Sequence, residues 1–267
     1  MAGDELRRQV GERSWYHTLE LAPGVVTPGW FDTRDVLTSI PFPADLSGMR
    51  CLDIATFDGF WAFEMERRGA AEVVAVDVLD PRDFDWPDNS TADAVDAIGE
   101  RKGLGEGFEI AAAALGSSVK RLERNVYDLD PAELGTFDFI YMGSLLLHLR
   151  DPIRALGCVR RVCAGSALFV DAVDAELSLL FRRRAVAGFD GMGRPWWWKP
   201  NAAALARFIE SAGFSVVEGP GRFSMPRGEG QPLVRPAWRA LGSHVGREAW
   251  LTWRRGDPHA YVVGTPG

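Results

Sequence analysis

Residues 52–77, LDIATFDGFWAFEMERRGAAEVVAVD, decide the fold that we expect for this chain. Residues 50–54 form a short apolar run that is typical of a buried strand, and residues 60–69 place apolar side chains at helical spacing. The valine-rich residues 72–78 predict a second strand. Since a strand, a helix and a strand follow one another, this stretch predicts a βαβ unit with two parallel strands.

The same alternation continues along the chain. Apolar periodicity predicts further helices at 108–115, 151–162 and 201–213, and further strands at 119–126, 137–142, 166–172, 215–218 and 260–264. This order predicts an α/β, Rossmann-like fold with a mostly parallel sheet that helices cover on both faces. Such sheets bind ligands outside the carboxyl ends of their strands, so the polar residues that follow each strand form the candidate site.

Length and composition fit a globular protein with a sizeable core. The chain has 267 residues, 46% of them hydrophobic and 25% charged, and its formal net charge is -7. The acidic balance argues against a general nucleic-acid binder, because tight phosphate binding needs clustered cations. No apolar run approaches the roughly 20 residues of a membrane span, and the N-terminus lacks the apolar stretch of a signal peptide, so we expect a cytoplasmic protein.

Four segments fall outside the alternating pattern, at residues 1–46, 81–107, 174–200 and 220–258. We expect the first to be an N-terminal cap and the others to be insertions in one ligand-binding domain at 47–267. These segments hold most of the tryptophans, which either pack the segments onto the sheet or line an acceptor pocket as a lid. The candidates for contact with a substrate are Trp30, Trp196, Trp197, Trp198 and Lys199.

The loop after the first strand is the clearest local motif. Small residues and glycine at a helix start let the backbone approach a ligand, which makes this loop a candidate cofactor site comprising Asp53, Ala55, Thr56, Phe57 and Gly59. Ala55 and Phe57 stand where a dinucleotide-binding loop has glycines, and a pyrophosphate needs very close backbone approach. The loop therefore favours a cofactor without phosphates.

An acidic residue, Asp77, ends the second strand, and Val78 lies beside it. A carboxylate at this place can accept hydrogen bonds from both hydroxyls of a ribose. The alternative is a helix N-cap or a solvated loop acid. Residues after the next two strands would complete the pocket, with Asn125, Val126 and Tyr127 at an adenine base and Met142, Gly143 and Ser144 under the other end of the cofactor.

Three separated segments resemble a class I S-adenosylmethionine-dependent methyltransferase. They are residues 52–77, NVYDL at 125–129, and FDFIYMGSLLLHLRDPIRAL at 137–156. The resemblance covers about residues 50–170. It implies a seven-stranded sheet whose last strand is antiparallel, S-adenosylmethionine as the cofactor, and methyl transfer as the activity.

Within this class the chain resembles the tRNA wobble-uridine (carboxy)methyltransferase family, in WYH at 15–17, MG at 142–143 and LH at 147–148. That family has a longer N-terminal region. Its members that use carboxy-S-adenosylmethionine hold the extra carboxylate with a tyrosine just before the histidine and a lysine in the N-terminal segment. Here Leu147 takes the tyrosine position, and no lysine precedes Lys102. A buried carboxylate without a partner is costly, so we expect ordinary S-adenosylmethionine.

Methyl transfer to an oxygen or nitrogen that loses a proton benefits from a general base. The candidates are His148 and Asp171, which follow the fourth and fifth strands, and Tyr16 and His17 from the N-terminal segment. His148 can titrate near neutral pH, although a packing or capping role is equally open.

No metal ligand is predicted. The three cysteines are too few and too scattered for a zinc site. The aspartates of the proline-containing loop, Asp83, Asp85 and Asp88, are expected to face solvent, and His244 and His259 are interpreted as surface or loop residues.

We therefore expect methyl transfer from S-adenosylmethionine to an oxygen or nitrogen of a small acceptor, such as a sugar or a specialised metabolite, with no membrane partner. The aromatic-rich segments and the acidic balance favour a closed pocket over an RNA groove. Two alternatives stay open: a methyltransferase that modifies the tRNA wobble uridine, and a cofactor-binding module without catalysis. The sequence leaves the acceptor, the methylated atom and the oligomeric state undetermined.

Overall fold

A seven-stranded sheet lies at the centre of the part of the chain that the structure, a computed structural model, describes: residues 2–193, 195–231 and 233–267. Over these residues the strands, numbered in chain order, are β1 (Trp15–His17), β2 (Glu20–Ala22), β3 (Val25–Val26), β4 (Gly29–Phe31), β5 (Arg50–Ile54), β6 (Glu72–Asp77), β7 (Lys120–Glu123), β8 (Phe137–Gly143), β9 (Cys163–Ala172), β10 (Ala187–Phe189), β11 (Trp198–Pro200), β12 (Phe214–Met225) and β13 (Asp257–Pro266).

The order across the central sheet is β12-β13-β9-β8-β5-β6-β7. Its strands pair in parallel except β13, which runs antiparallel to both β9 and β12. This confirms the predicted Rossmann-like fold class, including the antiparallel last strand. The strand order reverses at β5, which lies between β6 and β8, so a crevice for a ligand is expected outside the carboxyl end of β5.

Helices cover both faces of the sheet. In chain order they are α1 (Ala2–Gly11), α2 (Phe60–Arg67), α3 (Ala92–Lys102), α4 (Glu106–Leu115), α5 (Pro131–Leu134), α6 (Pro152–Val162), α7 (Ala175–Leu180), α8 (Ala202–Ser211) and α9 (His244–Thr252). Side chains cap several of these helices. The Asp151 side chain accepts a hydrogen bond from the Arg154 N–H at the start of α6, and the Asn201 side chain accepts one from the Ala204 N–H at the start of α8.

Two apolar cores hold these layers together. On one face, α6 and α8 bury Leu156, Val159, Leu205 and Ile209 against the sheet. On the other face, α2 and α4 pack together with the N-terminal segment in a core that contains Trp15, Phe42, Trp61 and Phe108. The N-terminal segment therefore lies against the same face as α2, beside the start of the motif loop.

The predicted helices and strands all occur, and four strand lengths were wrong. β9 begins at Cys163, three residues earlier than predicted. β7 ends at Glu123, because Asn125 caps a 3₁₀ turn at Val126–Asp128 that takes the chain out of the sheet. β12 and β13 are much longer than predicted and pair from Phe214 to Met225. The predicted strand ended at residue 218 and an insertion was expected from 220, but register shifts carry the pairing of β12 with β13 past this point.

None of the helices in the described ranges has the length and apolar character needed to cross a membrane.

Candidate active site

The loop between β5 and α2 has a backbone that L-residues rarely adopt. Ala55 and Phe57 have φ angles of 62° and 52°, in the left-handed region that favours glycine. Gly59 follows at 91°, and a Cβ atom there would collide with the rings of Phe63 and Phe108. Two non-glycine residues of this loop therefore adopt a backbone conformation that glycine usually provides. Left-handed backbone at such residues stores roughly 1–3 kcal/mol each, and strain of this kind concentrates at functional sites.

Asp53 lies on β5 directly before this loop. Both its carboxylate oxygens are buried, and neither makes a hydrogen bond of normal geometry with a described residue; the hydroxyl of Thr56, also without such a bond, and the Ala62 N–H are the neighbouring donors that act on its pKa. Burial raises the pKa of Asp53 to about 7. Because buried polar groups are nearly always bonded, an orphaned carboxylate at a strand end points to a ligand. The ammonium of an amino acid would supply charge-assisted donors, so these residues fit the amino-acid end of S-adenosylmethionine.

Asp77 ends β6 as predicted, but its carboxylate is already engaged. One oxygen accepts the Phe57 N–H at 2.9 Å and the Lys102 ammonium at 2.6 Å, and the other accepts the Val78 N–H at 2.9 Å. Asp77 is only 6% exposed. It is therefore neither a solvated loop acid nor a helix cap, and its predicted contact with a ribose has to accommodate Lys102.

Strand β1 brings Tyr16 and His17 against the motif loop. One oxygen of Asp58 accepts the backbone N–H groups of Tyr16 and His17 at 2.7 and 2.9 Å, and the other is bonded to His17 Nδ1. The Tyr16 ring lies 5.0 Å from the Phe57 ring, between centroids. Burial raises the pKa of the Tyr16 hydroxyl. A carboxylate on Nδ1 fixes the imidazole tautomer and leaves Nε2 as a proton acceptor, which is what a general base requires.

The loop after β8 is held by Asp171 from β9. The Asp171 carboxylate accepts the backbone N–H groups of Leu145, Leu146 and Ala172 at 3.0, 2.7 and 2.8 Å. Burial raises the pKa of Asp171 to about 7. Since backbone donors occupy this carboxylate, its visible role is to shape the loop that contains Gly143 and Ser144, just past the buried Met142.

His259 was interpreted as a surface or loop residue, and this is wrong. It lies on β13, is 3% exposed, and is flanked by the rings of Phe31 and Phe223. Its Nδ1 donates to the Asp257 carbonyl, and its Nε2 lies 3.3 Å from the Ser144 hydroxyl. Burial lowers the pKa of His259, so a neutral imidazole faces Ser144.

His148 ends a 3₁₀ turn at Leu146–His148, and its Nδ1 is bonded to the Pro195 carbonyl. Burial lowers the pKa of His148 to about 4. The ring is therefore neutral at pH 7, and a group with so low a pKa is a weak base. Its bond to Pro195 ties the loop after β8 to the segment that contains the three consecutive tryptophans.

Asp85 joins the elements that the sequence places around an adenine base. Its carboxylate accepts the Tyr127 hydroxyl at 3.0 Å and the Arg150 N–H at 2.6 Å, and its carbonyl accepts the Trp197 indole N–H. The expectation that Asp85 faces solvent was wrong, because its side chain is 20% exposed, whereas that of Asp88 is 96% exposed. Segment 81–107 is thus fastened over the carboxyl edge of the sheet.

A family model described as a methyltransferase domain matches residues 32–219. The chain belongs to this family. Membership confirms the resemblance to class I S-adenosylmethionine-dependent methyltransferases and the cofactor that this resemblance implies. The closer resemblance to the tRNA wobble-uridine enzymes stays a prediction.

Solved structures share the fold of this methyltransferase domain. The N-terminal domain of EvdMO1 with SAH bound has 17% sequence identity and a TM-score of 0.56, covering 100% of this chain and 98% of that one. The Burkholderia thailandensis 1,6-didemethyltoxoflavin-N1-methyltransferase has 14% identity and a TM-score of 0.50, covering 83% of this chain and 72% of that one. No curated protein sequence matches the chain.

The predicted substrate residues lie on separate elements of the structure. Trp30 is half-buried on β4, beside the N-terminal core, and Trp196 is 37% exposed. Trp197 contacts the Arg150 guanidinium through its ring, and the indole of Trp198 donates to the Arg150 carbonyl at 3.1 Å. Two of the three consecutive tryptophans are therefore anchored to the loop after β8 rather than free in a pocket.

Lys199 lies in a network of charged side chains that joins α9 to the start of α7. Its ammonium lies 2.5 Å from Glu248, and His244 lies between Asp174 at 2.8 Å and Glu176 at 2.7 Å. Hydrogen bonding to Glu176 raises the pKa of His244. Carboxylate and imidazole atoms of Asp174, His244 and Glu248 come within 4.8 Å of one another, and Glu248 is paired with the Lys199 ammonium.

Sequence reasoning missed three residues of the site: Asp58, Asp85 and Lys102. Asp58 lies inside the quoted motif loop, so an acid at a helix start was available as a signal. Asp85 was seen and assigned to solvent. Lys102 gave no local signal, because it acts on a carboxylate 25 positions earlier through the packing of α3.

Proposed function

We propose that this methyltransferase transfers the methyl group of S-adenosylmethionine to an oxygen or nitrogen of a small acceptor. The observation that carries the proposal is the orphaned Asp53 carboxylate at the carboxyl end of β5, in a chain of the methyltransferase-domain family. An ammonium-bearing cofactor satisfies this carboxylate, whereas the isolated protein leaves it buried without a partner.

The residues around the crevice have separable roles. Asp53 and the strained loop at 55–59 would hold the amino-acid end of the cofactor, and Asp77 the ribose. Asn125 and Tyr127 border the adenine side. When bound, the cofactor supplies an activated methyl group on a sulfonium, so the protein mainly has to position the acceptor, exclude water and remove a proton.

His17 is the best-supported general base. Asp58 holds its Nδ1, and the pair is buried, at 4% and 2% exposure. Neutral His17 can take the acceptor proton on Nε2 as the methyl group leaves sulfur, and Asp58 then stabilises the imidazolium. His148 is less suited to this step, because its lowered pKa disfavours the protonated form.

A small acceptor is supported by the aromatic rim and by the acidic charge of the chain. Trp197, Trp198 and the segment around Asp85 cover the carboxyl edge of the sheet, where a long polynucleotide would need an open basic groove. Two fold neighbours support the same choice: the N-terminal domain of EvdMO1 was crystallised in the presence of D-fucose, and the Burkholderia thailandensis enzyme was crystallised with bound 1,6-didemethyltoxoflavin, the small molecule that its name gives as methyl acceptor.

The test combines binding with transfer. Calorimetry with S-adenosylhomocysteine should show binding by the wild type and weaker binding by Asp53→Asn. The protein is then incubated with methyl-labelled S-adenosylmethionine and one of two acceptor sets. The first set is a panel of sugars and heteroaromatic compounds, and the second is bulk tRNA. We expect the label in the small-molecule set. Label in tRNA would replace the proposal with wobble-uridine modification. Binding without transfer to either set would indicate the non-catalytic module.

A further inference from the structure

Lys102 lies at the end of α3 and reaches into the crevice. Its ammonium lies 2.6 Å from the Asp77 carboxylate, and the two side chains are only 4% and 6% exposed. A buried lysine is rare unless it is paired, and here Asp77 is the partner that makes the burial of Lys102 possible. Asp77 is also the residue that the site assigns to the ribose of the cofactor.

Two aromatic rings lie beside the Lys102 ammonium. Its ammonium lies 4.7 Å from the centre of the Phe57 ring and 5.3 Å from that of Phe84. Its charge also contributes to the lowered pKa of His148, in the loop after β8. The lysine therefore lies at the end of β6, where the sequence places the ribose of the cofactor, and its charge acts as far as the loop after β8.

We propose that Lys102 competes with the cofactor for Asp77, so that α3 is a lid that has to withdraw before the ribose can bind. This inference rests on the proposed function. The ammonium donates to the oxygen of Asp77 that also accepts the Phe57 N–H, which leaves that oxygen little capacity for two further hydroxyl donors. Lys102 thereby sets the affinity of the methyltransferase for its cofactor.

The chain directly after Lys102 is built for such a movement. Gly103, Leu104 and Gly105 have φ angles of 52°, 51° and 79°, three consecutive residues in the left-handed region. Leu104 is strained there and 60% exposed, so packing does not hold it. Lids commonly turn on a few terminal residues that absorb a change of backbone angles.

The segment that leads into α3 is fastened through Asp85 by polar contacts. Asp85 binds Tyr127 and Arg150, and α3 itself contributes no residue to either apolar core. Segments with few buried apolar contacts open at low free energy, so α3 can leave while the sheet stays folded.

The deciding experiment measures S-adenosylhomocysteine binding to the full chain by calorimetry and stopped-flow fluorescence. Lys102→Met removes the charge and keeps an unbranched side chain. We expect its dissociation constant to fall about tenfold and its association rate constant to rise. The matched control is Lys120→Met, because Lys120 pairs with Glu72 at 67% exposure on β7 and should leave both constants unchanged.

Equal binding by the wild type and Lys102→Met would overturn the competition. Weaker binding by the variant would also overturn it and would make Lys102 a ligand of the cofactor. If neither protein binds S-adenosylhomocysteine, the proposed function fails first, and the inference falls with it.

A second measurement needs no variant. Hydrogen exchange of the wild-type amides in 92–105 should become faster when S-adenosylhomocysteine is added, because α3 leaves its position on Asp77. Slower exchange of these amides in the complex would show that α3 closes over the cofactor, and the proposal would be wrong.

Discussion

Asp53 and Asp77 lie at the carboxyl ends of neighbouring parallel strands, and their carboxylates differ in hydrogen bonding. They are similarly buried, at 1% and 6% exposure. Neither oxygen of Asp53 makes a hydrogen bond of normal geometry with a described residue, whereas Asp77 accepts two backbone N–H bonds and a lysine ammonium. The two carboxylates are the two ends of one crevice.

The difference shows that a strand-end position places a carboxylate without deciding its state. The partner of each carboxylate comes from a segment that is distant in sequence. Helix α3 supplies Lys102 to Asp77, and strand β1 supplies His17 to Asp58. Binding of a cation to an unpaired buried carboxylate is favourable, because it removes the cost of the unpaired charge. Binding of a new partner to a paired carboxylate first has to break the existing contact.

Asp77→Asn should have the largest effect, because it leaves the Lys102 ammonium buried without its carboxylate. Removing one partner of a buried ion pair lowers the free energy of unfolding by about 3–5 kcal/mol. Urea denaturation of the unliganded protein measures this loss. The double variant Asp77→Asn/Lys102→Met removes both charges and should recover most of the stability; a double variant as unstable as the single one would show that the pair is not the cause.

Asp53→Asn should raise the free energy of unfolding above neutral pH, whereas Asp77→Asn lowers it. The folded pKa of Asp53 is raised to about 7, above its ordinary value of 3.8, so the folded state binds the proton more tightly between these values. Stability therefore falls as pH rises from about 4 to 7, by up to about 4 kcal/mol for three pKa units.

The variant lacks this ionisation. We expect Asp53→Asn to be more stable than the wild type at pH 8 and about equal to it at pH 4, in urea titrations at both values. Asp171 contributes in the same window and is unchanged in both proteins, so the difference isolates Asp53. A variant that is less stable at pH 8 would mean that the carboxylate has a partner in solution.

Asp58→Asn tests the catalytic end of the crevice. The Tyr16 and His17 N–H groups should hold the new amide oxygen, which turns the amide NH2 towards His17 Nδ1. An amide NH2 donates and cannot accept the Nδ1–H, so the imidazole loses the tautomer that presents Nε2 as a base. We expect kcat for methyl transfer to fall at least about tenfold with little change in KM, since a positioned general base contributes about 10²–10⁴-fold. His148→Ala should reduce kcat less. The reverse order would assign the base to His148.

Trp197→Phe should have the smallest effect of the four. It removes the indole N–H that donates to the Asp85 carbonyl, a bond worth about 1 kcal/mol, and so loosens the segment that carries Lys102. Thermal unfolding should show a small decrease in stability. Trp238→Phe is the matched control, because Trp238 is 69% exposed, and an equal decrease there would remove the argument for the Asp85 contact.

The predictable part of the site is local. Asp53, Phe57, Gly59 and Asp77 were placed by the end of a strand and the start of a helix, and in the structure the Phe57 N–H donates to Asp77 where the neighbouring strands β5 and β6 end. The contact of His17 with this loop was harder to predict from the sequence, because Asp58 is bonded to His17 across 41 positions of chain. Asp85 and Lys102 were beyond reach, since their partners come from elements that only the packing of α3 and the tryptophan segment brings near.

The sequence by itself determined the alternation of strands and helices, the parallel sheet and the positions where polar residues leave it, because hydrophobic periodicity and turn residues act over a few neighbouring positions. Only the tertiary structure decided which buried charge is paired. Pairing depends on distances of a few ångströms between segments that are distant in sequence, and the desolvation of a carboxylate is set by everything packed around it. For this methyltransferase that choice left Asp53 open and gave Asp77 to Lys102.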